Sequence, residues 1–119
     1  MNRASIVWVL MMSVIASPLW ASVTIAHYMA ARKAGGRDWT EVNTYLSGFS
    51  NGLLFANAYN IDAHVPPLFC QPGNLRLNDD NTFDIVIATI KREARKPGDE
   101  GFVEGLLLRG MQFTFPCKR

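Results

Sequence analysis

Residues 45–60 read YLSGFSNGLLFANAYN, and the way this stretch is read decides the fold. With the residue leading into it, Val42, Tyr45, Leu46, Phe49, Leu53 and Ala56 recur three and four apart. That is the period of one helix face. A helix is expected from about Asp38 to Tyr59, capped by Asp38 or Thr40. The glycines need a reason. Gly48, Gly52 and Ala56 stand four apart on one stripe, and each glycine costs a helix about 1 kcal/mol relative to alanine. A neighbour that approaches too closely for a side chain would explain them. In a bilayer the stripe would suggest a dimer motif, but Asn43, Asn51, Asn57 and Asn60 make this helix too polar for that. Close packing within the domain is the favoured reading. An interface with a second copy of the chain is its rival.

Working outward, the spacing stays helical. Upstream, Val23 to Ala34 carries Ile25, Tyr28, Met29 and Ala30 before a Gly35-Gly36 stop. Downstream, residues 60–77 read NIDAHVPPLFCQPGNLRL. Pro66, Pro67, Pro72 and Gly73 exclude a continuous helix there. A third helix starts after Asn78-Asp79-Asp80, residues that suit an N-terminus by capping and by the helix dipole. Phe83, Val86, Ile87, Ile90 and Ala94 mark its apolar face. Lys91, Arg92, Arg95 and Lys96 crowd its end, where the dipole favours cations, so this cluster reads as a solvated helix terminus rather than an anion site. After Pro97-Gly98, Asp99-Glu100 can begin a fourth helix with Val103, Leu106, Leu107, Gly110 and Met111 as its buried stripe. No alternating strand pattern of useful length occurs. The expected fold is all-α: a compact bundle of three to four helices.

The N-terminus sets the compartment. Arg3 is followed by an almost purely apolar run from Ala4 to Ile15, then Pro18 and the small residues Ala16, Ala21 and Ser22. This is the order of a secretory leader. Cleavage after Ala21 is favoured, with Ala16 as the second choice. The competing reading is an uncleaved anchor, since an uncharged stretch of about 20 residues can span a bilayer. With Arg3 held inside, both readings place the rest of the chain outside the cytoplasm. The favoured division is thus residues 1–21 as a leader and 22–119 as a single helical domain, with the periplasm its expected location. No stable membrane span is expected once the leader is removed.

Of the 119 residues, removal of 21 leaves 98, one small domain whose core is marginal by size. Without Arg3 there remain 11 basic and 10 acidic side chains, a net charge of +1. That balance argues against nucleic acid as a partner. Cys70 and Cys117 are the only cysteines, and in an oxidising compartment they are expected to pair. The bridge would close a loop of about 48 residues, worth roughly 4 kcal/mol in the chain-entropy picture. It would also tie down the C-terminal FTFPCKR. The alternative is two free thiols.

Signatures of catalysis are scarce. His27 and His64 are the only histidines, and neither HExxH nor CxxC spacing occurs, so no metal is expected. Asp62 precedes His64 by two residues and could form a dyad, but no nucleophile motif accompanies it. Asp79, Asp80 and Asp84 could mimic an acidic pair, though capping explains the first two. The glycines lie inside or between helices, not in a phosphate-binding loop. The chain reads as a non-enzyme without a cofactor.

The sequence YLSGFSNGLLFANAYN, then LFCQPGNLRL, then a helix, a proline break, a second helix and FPC resembles the Tai/Rap family of type VI secretion immunity proteins. Tyr45-x-x-Gly48 with Gly52, Cys70-x-Pro72 and Phe115-Pro116-Cys117 carry the likeness, which covers roughly Trp39 to Cys117. The resemblance implies a small exported helical protein, often dimeric. It also implies a partner: a peptidoglycan-cleaving toxin of the amidase class, whose active site the protein blocks. Cys70 and Cys117 match the family's disulfide positions. Blocking a cleft needs a rigid frame and a protruding loop. Asp62, His64, Gln71, Asn74 and Arg76 could present polar groups from the long loop, and Phe69 or Leu68 could be a buried anchor. Burial of Phe69 and Leu68 in the domain core is the favoured reading of those two. A periplasmic stress chaperone of the small, helical, single-disulfide kind is the alternative function.

Overall fold

In a computed structural model of the chain, residues 22–74 and 76–118 are described. The expected leader, residues 1–21, lies outside them. Four helices follow one another: α1 (Ile25–Ala34), α2 (Gly36–Asp62), α3 (Asp79–Arg92) and α4 (Val103–Thr114). Among the described residues the only β pairing is an isolated antiparallel bridge between Thr24 and Phe102. The protein is all-α, with α3 packed on α4, α1 on α2, and both of the last two helices against α2.

Local chemistry explains the helix ends. The Thr24 side chain caps α1 by accepting from His27 N. Gly35 and Gly36 then take φ of 67° and 58°, the left-handed region that glycine enters without a Cβ penalty. This lets the chain turn from α1 into α2 with no loop between them. The cap of α2 is therefore Gly35, which offers no side chain, and not Asp38 or Thr40. Asp38 lies in the first turn, and the Thr40 hydroxyl donates back to Gly36 O. At α3 the expectation holds: Asn78 and Asn81 form a reciprocal capping box. The fourth helix starts at Val103 rather than at Asp99-Glu100. The Asp99 carboxylate instead accepts from Lys96 N at 2.6 Å and closes a turn.

Helices α2 and α3 end alike. In α2, Val65 N bonds Asn60 O and His64 N bonds Ile61 O, with His64 at φ 57°. In α3, Arg95 N bonds Ile90 O and Ala94 N bonds Lys91 O, with Ala94 at φ 52°. Both are Schellman ends built without the usual glycine. Ala94 therefore stands past the helix rather than on its apolar face.

The core gathers Tyr28, Leu46, Phe69, Val86, Val103, Leu107 and Met111. Tyr28, Trp39 and Phe83 form an aromatic cluster with centroids 5.6–6.2 Å apart. The Arg32 guanidinium lies 3.6 Å above the Phe83 ring. Burial pushes the Tyr28 phenol well above its ordinary pKa, and its hydroxyl has no hydrogen-bond partner among the described residues. The α4 stripe is the expected one, Val103, Leu106, Leu107, Gly110 and Met111, with Glu104 added.

The small-residue stripe is a correction. The buried face of α2 is Val42, Leu46, Ser50, Leu53 and Asn57. Gly48 and Gly52 lie on the far side of the helix and Ala56 on its flank, and all three are exposed. A Cβ added at Gly48 or Gly52 meets nothing within 4 Å. Close packing within the domain does not occur there. It occurs instead at Gly110, where an added Cβ would stand 2.5 Å from both Ile85 Cγ2 and Thr89 Oγ1.

Candidate functional site

The segment between α2 and α3 carries most of the residues singled out in the sequence, and α2 holds it in place. Asn57 points inward from the buried face of α2. Its Nδ2 donates to Phe69 O at 2.8 Å, and its Oδ1 accepts from Leu68 N at 2.7 Å and from Phe69 N at 3.3 Å. One side chain thus satisfies three backbone groups of a segment with no ladder of its own, which is what buried backbone requires. Asn60 adds a longer bond to Pro66 O at 3.4 Å.

The disulfide completes the clamp. Cys70 and Cys117 are bonded, with Cα atoms 4.8 Å apart, and Cys70 N donates to Phe115 O at 2.8 Å. The C-terminal FPC segment is therefore fastened to the loop by a covalent and a backbone bond side by side. Phe69 is 1% exposed, a core residue and not a free anchor, as the favoured reading had it; Leu68 is half-buried against the same core.

Beside this clamp an open cleft of about 320 Å³ is lined by Leu54, Asn57, Ala58, Ile61, Phe69, Cys70 and Gln71. Gln71 and Phe69 are the two sequence candidates that meet there. The other four do not line it. Asp62 is the last residue of α2 and His64 the left-handed residue after it, both exposed. Asn74 and Arg76 are exposed farther on, where Arg76 O accepts from Asn81 Nδ2 at 2.7 Å at the start of α3. The six residues form three pairs spread from the end of α2 to the start of α3, not one constellation.

Large apolar side chains surround the same end of α2. Phe55 is 79%, Tyr59 67%, Ile61 57% and Val65 48% exposed. At 100° per residue, Phe55 and Tyr59 share the outer face with Gly48 and Gly52, whereas Ile61 turns toward the cleft. Sequence reasoning counted apolar spacing and so looked for the inner face. The signal it passed over was the surplus: α2 has more apolar residues than one stripe can bury.

A second polar centre lies at the other end of the fold. Glu104 Oε1 accepts from Val23 N at 2.9 Å and from Tyr45 OH at 2.6 Å. The bond to Glu104, followed by burial, pushes the Tyr45 phenol up to about 12. Glu104 was not singled out in the sequence, where a lone glutamate in the first turn of a helix carries no mark.

Among the described residues, no group of three or more His, Cys, Asp or Glu side chains could hold a metal ion. No helix among them is long and apolar enough to cross a membrane. Compared with known proteins, the chain matches no family model, no curated protein and no solved structure.

Proposed function

We propose that this protein is an exported immunity protein, without catalytic activity of its own, that binds and blocks a peptidoglycan-targeting, amidase-type toxin of a type VI secretion system. The observation that carries the reading is the apolar surface around the C-terminal third of α2. Ile61 stands exposed on the rim of an open cleft, Phe55 and Tyr59 stand exposed on the outer face of the same helix end, and Val65 is exposed just beyond it. Large apolar side chains left exposed in such number at one end of a helix point to a place where another macromolecule binds. Aromatic anchors on a rigid support are what tight protein–protein binding uses, and here the support is a 27-residue helix braced by Asn57 and the disulfide. The disulfide joins the Cys70-x-Pro72 and Phe115-Pro116-Cys117 elements that carry the resemblance, and a bridged chain suits the periplasm.

A stress chaperone would release apolar surface by losing structure. Here the surface stands outside a packed core, which favours a dedicated docking face. The test is co-culture of a deletion strain with its parent on a surface, with and without plasmid export of the protein. Lysis of the deletion strain beside its parent, with rescue by the exported protein alone, is the expected result. Equal competition with an active secretion system would sink the proposal.

A further inference from the structure

Among the described residues Glu104 is the only buried charged side chain, at 8% exposed. A buried carboxylate is costly unless its oxygens are bonded. Oε1 has two donors, Val23 N and Tyr45 OH. Oε2 is buried with no partner among the described residues. Whatever completes this group must be a donor, and a cation serves best.

The chain supplies one. Thr24 bridges Phe102, and Val103 N donates to Val23 O at 2.8 Å. Residues 23 and 24 are thereby pinned beside the start of α4, with Val23 N already on the Glu104 carboxylate. Ser22 is half-buried and precedes Val23 by one residue, at most about 3.6 Å of chain. Hydrolysis of the Ala21–Ser22 peptide bond consumes one water, leaves a carboxylate on Ala21, and converts the Ser22 nitrogen from an amide to an α-ammonium. That group carries a positive charge and three protons to donate, next to an oxygen that lacks a donor.

We infer that Glu104 is the receptor for the α-ammonium group formed when the leader is removed after Ala21. The Ser22 ammonium donates to Glu104 Oε2 and fastens the processed N-terminus to α4. Processing then completes a buried carboxylate whose Oε2 is otherwise unbonded among the described residues, so the mature chain is the more stable form. This rests on the reading of residues 1–21 as a leader cut after Ala21, and the test separates the two.

Mass spectrometry of the exported protein reads its N-terminus first. A chain beginning at Ser22 is expected; a start at Ser17 keeps a leader but overturns the proposal, and a start at Met1 overturns both. Thermal unfolding is then compared for three forms: the mature protein with its free amine, the same chain acetylated on the Ser22 nitrogen, and a chain that begins at Ala21. Each is made with Glu104 and with E104Q. Acetylation and the one-residue extension should each lower Tm by about 4–8 °C when Glu104 is present, and neither should do so in E104Q. No loss with Glu104, or equal losses in both backgrounds, overturns the assignment to Glu104 and leaves the leader reading intact. Should E104Q fail to fold, the three forms of the Glu104 chain decide alone: a loss supports the contact, and identical Tm values overturn it.

Discussion

Gly110 of α4 meets Thr89 of α3 where no side chain fits: a Cβ on Gly110 would stand 2.5 Å from Thr89 Oγ1. Thr89 cannot easily step aside, because its hydroxyl donates to Ile85 O at 2.7 Å and its branched Cβ restricts χ1. The Ile85 Cγ2 methyl group crowds the same space. Gly110→Ala should therefore destabilise the fold by about 1–3 kcal/mol through overpacking. At Gly48 and Gly52 the added methyl meets open space, so alanine there should stabilise by about 0.5–1 kcal/mol each. Urea unfolding of the three variants checks the opposite signs. A loss at Gly48 or Gly52 that depends on protein concentration would place a second copy of the chain on that face.

Tyr28 carries a hydroxyl that the core does not use. The ring is 1% exposed and the oxygen has no partner among the described residues. Tyr28→Phe keeps the stacking on Phe83 and removes an unpaired polar group, so it should stabilise by about 1 kcal/mol. Denaturant midpoints of the two proteins decide this. A clear loss in the variant would mean that the hydroxyl is bonded in solution.

Tyr45 predicts an alkaline transition. Its phenol is pushed from 10.0 to about 12, first by its bond to Glu104. The folded value lies above the unfolded one, so the protonated phenol is the stabilised form. The contribution is complete below about pH 10 and is lost as the pH rises through about 12. Tyr45→Phe should lower stability at neutral pH and flatten the fall in Tm between pH 10 and 12. Tyr28, raised further by burial, keeps its own alkaline loss in the variant. Parallel Tm–pH curves for the two proteins would contradict the Tyr45–Glu104 bond.

Asn57 and the disulfide brace one segment from two sides. Asn57→Ala leaves Phe69 O, Leu68 N and Phe69 N without their shared partner, at a cost of about 1–3 kcal/mol for each buried group left unbonded. Reduction of Cys70–Cys117 should cost roughly 4 kcal/mol through chain entropy. The segment is common to both, so the two losses should not add. Unfolding of Asn57→Ala with and without reductant measures the coupling.

Phe55 and Tyr59 should matter to binding and not to folding. They are 79% and 67% exposed, so Phe55→Ala and Tyr59→Ala should leave Tm within about 2 °C, while a hot-spot loss of about 2 kcal/mol weakens toxin binding roughly 30-fold. Calorimetric titration of the toxin from the co-culture experiment checks both. Unchanged affinity in the double variant would move the docking face elsewhere.

The helices, their order and the α4 stripe could be read from residue spacing because helix formation is local: the 3.6-residue period and the Asn78 cap act within one or two turns. The disulfide could be read from the cysteine count and the oxidising compartment that the N-terminal pattern implied, since two cysteines admit one pairing. Helix starts were misplaced where the sequence offered a good cap that was not used. Asp38 and Asp99 are sound capping residues, yet the chain enters α2 through the left-handed Gly35 and Gly36 and spends Asp99 on a turn.

Which side of α2 faces inward was decided only by the tertiary structure. Spacing alone put Tyr45 and Ala56 inside and asked for a neighbour at Gly48 and Gly52. The fold buries Ser50 and Asn57 instead and turns both glycines to open space. The reason is the loop that follows: its backbone donors and acceptors belong to no helix or strand and need a buried side chain to bond, and Asn57 is placed to provide it. Glu104 illustrates the same division. By itself it is an ordinary first-turn glutamate. It becomes a buried acceptor because residue 23 returns to it across 81 positions of chain, a contact that no local pattern encodes.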